Sequence, residues 1–498
     1  MATYDLAIIG GGINGAAIAR DAAGRGLRVL LVEQGDLGSG TSSASSKLIH
    51  GGLRYLEHAA FRLVREALNE REVLLRTAPH IIRPMRFMLP PAPGLRSALK
   101  LRLGLFLYDR LGNRKALPPT RTADLTHHPV GVPLQRSYRL GFEYSDCRVD
   151  DARLVVLNAM DAAERGAVIR TRTRCVRAER GSEWELVLNA RGRREVVTAR
   201  VLVNAAGPWV DQVSEHVLRL AAQPHARLIK GSHIVVRRLF DHDRGYTLQA
   251  RDGRVVFALP FAQDFTLIGT TDEPFVGDVN APAPSPGELT YLIEVVNQYF
   301  RHKVSIDDVV WTFSGIRSLY DDGVGKPEDV TRDYHLTLDD KRRVAPVLTI
   351  YGGKITTARK LAEAALDRIG KYFQMHPPWT QDAPLPGGDF AVDDFTVQVT
   401  RARNKWPFLS ADAALRLVQA YGTRIDRILG EAGSFDDLGP RFVGDLTGAE
   451  LRYLMSREWA QTADDVLWRR TKLGLLASGQ DREDIARFMA EVPAVSAP

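Results

Sequence analysis

The sequence predicts an α/β protein: a parallel sheet interrupted by an antiparallel-sheet block and followed by an all-helical C-terminal domain. Three observations predict it. The chain opens on a buried strand, a glycine turn, a helix and a second buried strand ending at Glu33. Its middle alternates short extended runs with turns and holds no further βα repeat. Beyond residue 388 the patterning is almost wholly helical.

Residues 5–9 form the first strand, 10–15 the glycine turn, 16–23 an alanine-rich helix and 27–32 the second strand. Parallel strands need such a helical crossover. Residues 35–46 are a Gly/Ser/Thr loop, too polar for a core element and too long for a mere connection. Residues 62–76 have helical composition, and 167–177, 184–189, 196–204, 233–237, 255–258 and 266–268 look extended. A late strand at 348–350, the turn Tyr351-Gly-Gly-Lys354 and a helix over 356–369 restore a strand–turn–helix unit. After a Pro/Gly-rich link at 377–388, helices are expected at 411–420, 449–458 and 463–476.

A chain of 498 residues is too long for one core, and 45% hydrophobic with 26% charged residues is a globular balance. Two cysteines, Cys147 and Cys175, cannot build a disulfide framework. The N-terminus runs directly into a strand, so no leader is expected, and no apolar run reaches the roughly 18 residues that span a bilayer. The net charge of +7 is a mild bias, and its basic residues are not interleaved with stacking aromatics, so no nucleic-acid partner is expected. No metal site is predicted.

Gly10-Gly11-Gly12-Ile13-Asn14-Gly15 fits G-x-G-x-x-G. Gly10 permits the tight turn, Gly12 lets the backbone approach a pyrophosphate, and Gly15 lets helix and strand pack closely. Glu33 is placed to accept from ribose hydroxyls, which disfavours a 2′-phosphate and leaves FAD or NAD. Two later glycine sites favour FAD. Residues 201–204 form a buried strand running into Ala206-Gly207, where a backbone crosses close to a dinucleotide. Gly352-Gly353-Lys354 precedes a helix and offers N–H groups and a cation to an electron-rich flavin pyrimidine. Cradles spread from Gly10 to Gly353 suit a long cofactor.

The loop Ser39-Gly-Thr-Ser-Ser-Ala-Ser-Ser-Lys-Leu-Ile-His-Gly-Gly-Leu-Arg-Tyr-Leu-Glu57 resembles the signature of FAD-dependent, quinone-linked glycerol-3-phosphate dehydrogenases. So do Thr270-Thr-Asp-Glu-Pro274, Ser314-Gly-Ile-Arg317, Thr331-Arg-Asp-Tyr334, Tyr351-Gly-Gly-Lys-Ile-Thr-Thr357 and the tail from Glu458 to Lys472. The resemblance runs from about Asp5 to Leu476. It implies a D-amino-acid-oxidase-like flavoprotein fold over residues 1–386. FAD-binding segments would lie near 1–80, 145–215 and 340–375, substrate- or membrane-facing segments at 81–144 and 216–339, and a helical domain at 387–498. It implies oxidation of glycerol 3-phosphate to dihydroxyacetone phosphate, hydride transfer to FAD and re-oxidation by a quinone. It carries FAD binding onto Ser42, Ser46, Gly51, Gly52 and Thr356 as well, and substrate binding onto Arg54, Tyr55, Thr270, Arg317, Arg332 and Lys354. An oxygen-using glycerol-phosphate oxidase and an amino-acid oxidase of the same fold are the rival readings.

Oxidising a secondary alcohol needs an anchor, a base and a hydride acceptor. A phosphate dianion calls for guanidinium forks or lysine, which the four cationic positions among those six supply. Imidazole titrates near working pH, so His233 in Lys230-Gly-Ser-His233 is the expected base, with Arg317 as a second catalytic residue and His50 as competitor.

Residues 93–118 hold Arg96, Lys100, Arg102, Arg110, Arg114 and Lys115 against Asp109 alone. Leu95, Leu99, Leu103, Phe106 and Leu107 share one helical face, as in a segment lying on anionic lipid. Leu101, Leu105 and Tyr108 fall on the other side, so a partly buried core helix with snorkelling ends is the competing reading. The expected location is cytoplasmic, peripheral on the inner face of the cell membrane. Expected partners are glycerol 3-phosphate, a quinone and that surface, with a homodimer left open.

Overall fold

A computed structural model describes residues 2–92, 97–112, 116–220, 225–321, 333–340 and 344–492, in two sheets and a set of helices. The first sheet runs His335–Asp339, Val347–Tyr351, Arg193–Asn204, Ala2–Ile9, Val29–Val32, Val168–Arg170. Its inner strands pair in parallel, with Ile9 opposite both Val32 and Asn204, and Asn204 opposite Thr349. Four strands therefore end along one edge, and the glycine turn, Glu33, Ala206-Gly207 and Gly352-Gly353 all emerge there. Ligands of parallel sheets bind beyond the carboxyl ends of the strands.

Helix Ile13–Gly24 packs against helices Asp151–Glu164 and Ala358–Ile369. Ala16, Ala19 and Ala22 are fully buried, and their small side chains allow the close approach. The N-terminal turn needs its glycines. Gly10 has φ +114°, and a Cβ at Gly15 would run into the Gly10 carbonyl oxygen.

The second sheet runs Glu273–Pro274, His225–Arg237, Phe265–Gly269, Val255–Phe261, Gly245–Gln249, Ile82–Leu89, Leu140–Val149, Leu48–Ile49. Val309–Asp321 pairs along the full length of His225–Arg237. The strands at Ile82–Leu89, Leu140–Val149 and Val309–Asp321 are not read from sequence. Leu140–Val149 is buried on both faces yet carries Glu143 and Asp146, so it lacks the alternation that signals a strand. Those carboxylates are held by Arg86, Arg121 and Arg244, and by Arg71 and Tyr108.

The C-terminal region contains helices Phe395–Lys405, Ala411–Tyr421, Gly448–Arg457 and Gly479–Glu491. The helix expected over 463–476 is not continuous. A π-helical turn, Asp465–Arg470, ends where Thr471 Oγ1 donates to the Val466 carbonyl, and Lys472 is left-handed at φ +62°. That break turns Arg469, Arg470 and Lys472 towards the first sheet. Arg470 makes two 2.8 Å bonds to Asp36, Arg172 bonds Asp465, and Glu458 pairs with the buried Arg153.

Candidate active site

A cavity of about 1120 Å³ opens along the carboxyl edge of the first sheet and extends under the second. It exceeds the roughly 300–1,000 Å³ of ordinary small-molecule clefts, as an elongated cofactor plus a substrate requires. At one end lie Gly10, Gly12 and Glu33. The Glu33 carboxylate accepts from the Gly11 and Gly35 N–H groups at 2.7 Å each, keeping further lone pairs for ribose hydroxyls. Burial raises its pKa, and the two backbone donors oppose that rise.

The Ile13 N–H donates to Ser42 Oγ at 3.0 Å, pinning the Gly/Ser/Thr loop over the helix start. Asn14 Nδ2 donates to the Gly352 carbonyl at 3.0 Å, joining the first and third glycine sites. Asn14 Oδ1 is buried with no partner among the described residues. The Ala206 N–H donates to Asn204 Oδ1, and Gly207 is left-handed at φ +56°. A Cβ at Gly10 would strike the Ala205 carbonyl, so this crossing requires glycine. Gly352 and Gly353 have φ of +70° and +99°, a left-handed turn that side chains rarely adopt, and a Cβ at Gly353 would press on Asn14 and Leu361.

Under the second sheet the cavity is lined by His50, Gly52, Arg54, Tyr55, Thr356, Lys354, Thr270, His233 and Arg317. Lys354 places its ammonium 3.8 Å from the Tyr55 ring centre. The Arg317 guanidinium donates to Asp272 at 2.8 Å and is about one-third exposed. The His50 N–H donates to Thr356 Oγ1 at 3.3 Å, and the Gly51 N–H to the Tyr108 hydroxyl at 2.8 Å. Arg332 lies outside the described residues.

His233 is 2% exposed. Its Nε2 is 2.9 Å from Ser46 Oγ, its ring stacks on Phe313 at 4.7 Å, and Nδ1 has no partner among the described residues. Burial, with the Lys47 and Arg317 charges, holds its pKa well below the ordinary imidazole value. Gly269 faces His233 across one strand pair, and Gly231 faces Gly315 across the other. A Cβ at Gly269 would strike the His233 ring, and one at Gly231 would lie 2.7 Å from Thr270 Oγ1 and 2.8 Å from Arg317 Nη2.

Sequence reasoning missed Asp272, Asn14, Lys47, Phe313 and Asp151. Asp272 and Lys47 sit inside the quoted motifs, so the motifs themselves were the available signal; Asp151 sits in an unread helix.

A glycine turn, a half-buried acidic residue and two further backbone cradles, facing a roof of histidine and cations, define a flavoprotein oxidoreductase. Residues 5–359 match the family model described as FAD dependent oxidoreductase, and 378–496 match the C-terminal domain of alpha-glycerophosphate oxidase. The chain is 50% identical over 491 residues to the glycerol-3-phosphate dehydrogenase of Pseudomonas aeruginosa, covering 98% of this chain and 95% of that protein. It is 51% identical over 474 residues to the D-erythritol 1-phosphate dehydrogenase of Brucella abortus, covering 94% of each. Among solved structures, the FAD complex of a Bacillus halodurans glycerol-3-phosphate dehydrogenase superposes with a TM-score of 0.77 at 27% identity, over 98% of this chain and 90% of that one. The chain belongs to the FAD-dependent glycerol-3-phosphate dehydrogenase family, and FAD is its cofactor.

Proposed function

We propose that the protein oxidises sn-glycerol 3-phosphate to dihydroxyacetone phosphate and passes the electrons to a membrane quinone. The observation that carries the substrate reading is the convergence of Arg54, Arg317 and Lys354 on the cavity that His233 lines. A phosphate dianion is satisfied by several charge-assisted hydrogen bonds, whereas a single carboxylate, as in an amino-acid oxidase, needs one guanidinium. The family resemblance adds Arg332, which lies outside the described residues, to the substrate-binding positions. Tyr55 and Thr270 orient the substrate through their hydroxyls. Ser46 Oγ engages Nε2 of His233, and the tautomer with its proton on Nε2 leaves Nδ1 as the base for the C2 hydroxyl proton. FAD, when bound, supplies the acceptor for the hydride leaving C2.

Anaerobic mixing of the FAD-loaded protein with glycerol 3-phosphate tests this: bleaching of the flavin absorbance is expected, with colour restored by a soluble quinone analogue. No bleaching would end the substrate reading, and rapid recovery with oxygen alone would favour an oxidase. The 51% identical relative named for D-erythritol 1-phosphate makes a four-carbon polyol phosphate the second substrate to compare.

The membrane reading rests on helix Ala98–Leu111. It buries Leu101, Leu105 and Tyr108 while leaving Leu99, Leu103 and Phe106 exposed at 78%, 59% and 49%, beside exposed Lys100, Arg102 and Arg110. An outward apolar strip edged with cations suits the interface of anionic lipid. Among the described residues no helix is long and apolar enough to cross a membrane. Co-sedimentation with anionic vesicles at low salt is expected, and Leu103→Glu with Phe106→Glu should abolish it. Unchanged binding by that variant would count against the helix.

A further inference from the structure

We propose that Lys47 is a positioning residue for His233, holding Ser46 against the imidazole and setting its positive charge against the Phe313 ring on which the imidazole stacks. The proposal rests on His233 being the base.

Ser46 and Lys47 are adjacent, and Lys47 is left-handed at φ +57°. Its ammonium is buried and bonds both Asp151 oxygens, at 3.0 and 2.8 Å, and the Ser43 carbonyl at 2.8 Å. Ser45 Oγ donates to the same carboxylate at 2.8 Å and accepts from the Lys47 N–H at 2.9 Å. The turn 43–47 is thus closed on Asp151, and Ser46 has little freedom to leave His233. A buried ion pair with all its hydrogen bonds made costs much to break but adds little net stability, so specificity of geometry is the better account of its presence.

The ammonium also lies 5.1 Å from the centre of the Phe313 ring, whose plane is within 11° of the imidazole plane. A fixed cation and the imidazole thus both lie against the Phe313 ring, in low-dielectric surroundings. The charged groups facing His233 are Lys47 from the loop and Arg317 from strand Val309–Asp321; Asp151 offsets the first and Asp272 the second. Lys472 of the C-terminal region stands behind the pair, 3.8 Å from both Asp150 and Asp151. The region beyond the link thus braces the base through Asp151. A cation so placed opposes protonation of His233 and so keeps the imidazole in its neutral, unprotonated form as the pH falls.

The test uses the full-length FAD-loaded protein with 15N-labelled histidine, the His233 signals being those absent from His233→Gln. In the parent, His233 is expected to titrate well below the ordinary imidazole range, with the proton of the neutral ring on Nε2. In Lys47→Met it should titrate at least about one pH unit higher and lose that single tautomer, and Lys47→Arg should restore both. The acid limb of anaerobic flavin reduction should move by the same amount at unchanged KM. A folded Lys47→Met protein with the parent titration, tautomer and acid limb would overturn the proposal. Should Lys47→Met not fold, Phe313→Leu serves: it removes the ring that both groups touch and leaves the ion pair, so a shifted titration supports the proposal and an unshifted one overturns it. Full-rate flavin reduction by His233→Gln would end the base reading alone, because the NMR titration still reports whether Lys47 governs the imidazole.

Discussion

Ser46 Oγ and His233 Nε2 lie 2.9 Å apart although 187 positions separate them in the chain. That contact joins the loop over the first sheet to the roof formed by the second. It also occupies one ring nitrogen, leaving the buried Nδ1 as the only other site for a proton.

With its pKa held well below the ordinary value by burial, Lys47 and Arg317, His233 is neutral across the working range. The rate of flavin reduction by glycerol 3-phosphate should therefore stay level through the range where an ordinary imidazole titrates and fall only in stronger acid. His233→Gln should retain FAD and lose about 10²–10⁴-fold in that rate. Anaerobic stopped-flow absorbance measures both, and a midpoint near the ordinary imidazole pKa would contradict the assignment.

Gly231 faces the space between Thr270 and Arg317. Gly231→Ala should lower kcat/KM for glycerol 3-phosphate by about tenfold or more, equivalent to about 1.4 kcal/mol, while the flavin spectrum is unchanged. Steady-state kinetics with a quinone analogue decides it. Parental kcat/KM would mean that the substrate does not use this window.

Asp36 belongs to the loop that follows Glu33, and Arg470 holds it with two hydrogen bonds from the C-terminal region. Burial raises the Asp36 pKa, but Arg470 and Arg469 outweigh that and hold it below the ordinary value. Arg470→Met should cost about 3–5 kcal/mol, because a buried carboxylate loses its main partner. FAD retention should fall as well. Denaturant unfolding and released-flavin fluorescence provide the two measurements, and a variant as stable as the parent would show that Arg469 suffices.

His80 is buried against Gly387 and Gly422, where the first sheet's helices meet the C-terminal region, and neither ring nitrogen has a partner among the described residues. Burial, then Arg153, pushes its pKa down to about 3. The folded value lies below the unfolded one of about 6.5, so the stability from keeping it neutral is present above about pH 6.5. It is lost at up to about 1.4 kcal/mol per pH unit as pH falls towards the folded value. His80→Leu should flatten stability against pH over that interval, and thermal melts across the series would reveal an unchanged slope if the assignment were wrong.

The glycine turn and Glu33 were legible because their information is local. A tight turn, a close backbone crossing and a helix packed on a strand are demands on φ and on Cβ that neighbouring residues display in their identity, as Gly10 and Gly15 do. The motifs after the turn were legible as patterns, although not as partners. Nothing near Lys47 in the chain announces Asp151, and nothing near Glu33 announces Arg470. The helix expected over 463–476 failed for the same reason, since its break serves contacts with Asp36, Asp150 and Asp151 that are remote in sequence.

The sequence by itself determined the cofactor edge, its three glycine cradles and the residue types able to bind a phosphate and take a proton. Tertiary structure alone decided which of them meet. The register of strands His225–Arg237, Phe265–Gly269 and Val309–Asp321 places Gly231, Gly269 and Gly315 around His233, and the Asp151 ion pair sets the loop beneath it. Strand pairing and buried charge pairing are long-range: a pleated strand that slips by one residue turns every side chain to the opposite face, and only the assembled sheet excludes that slip.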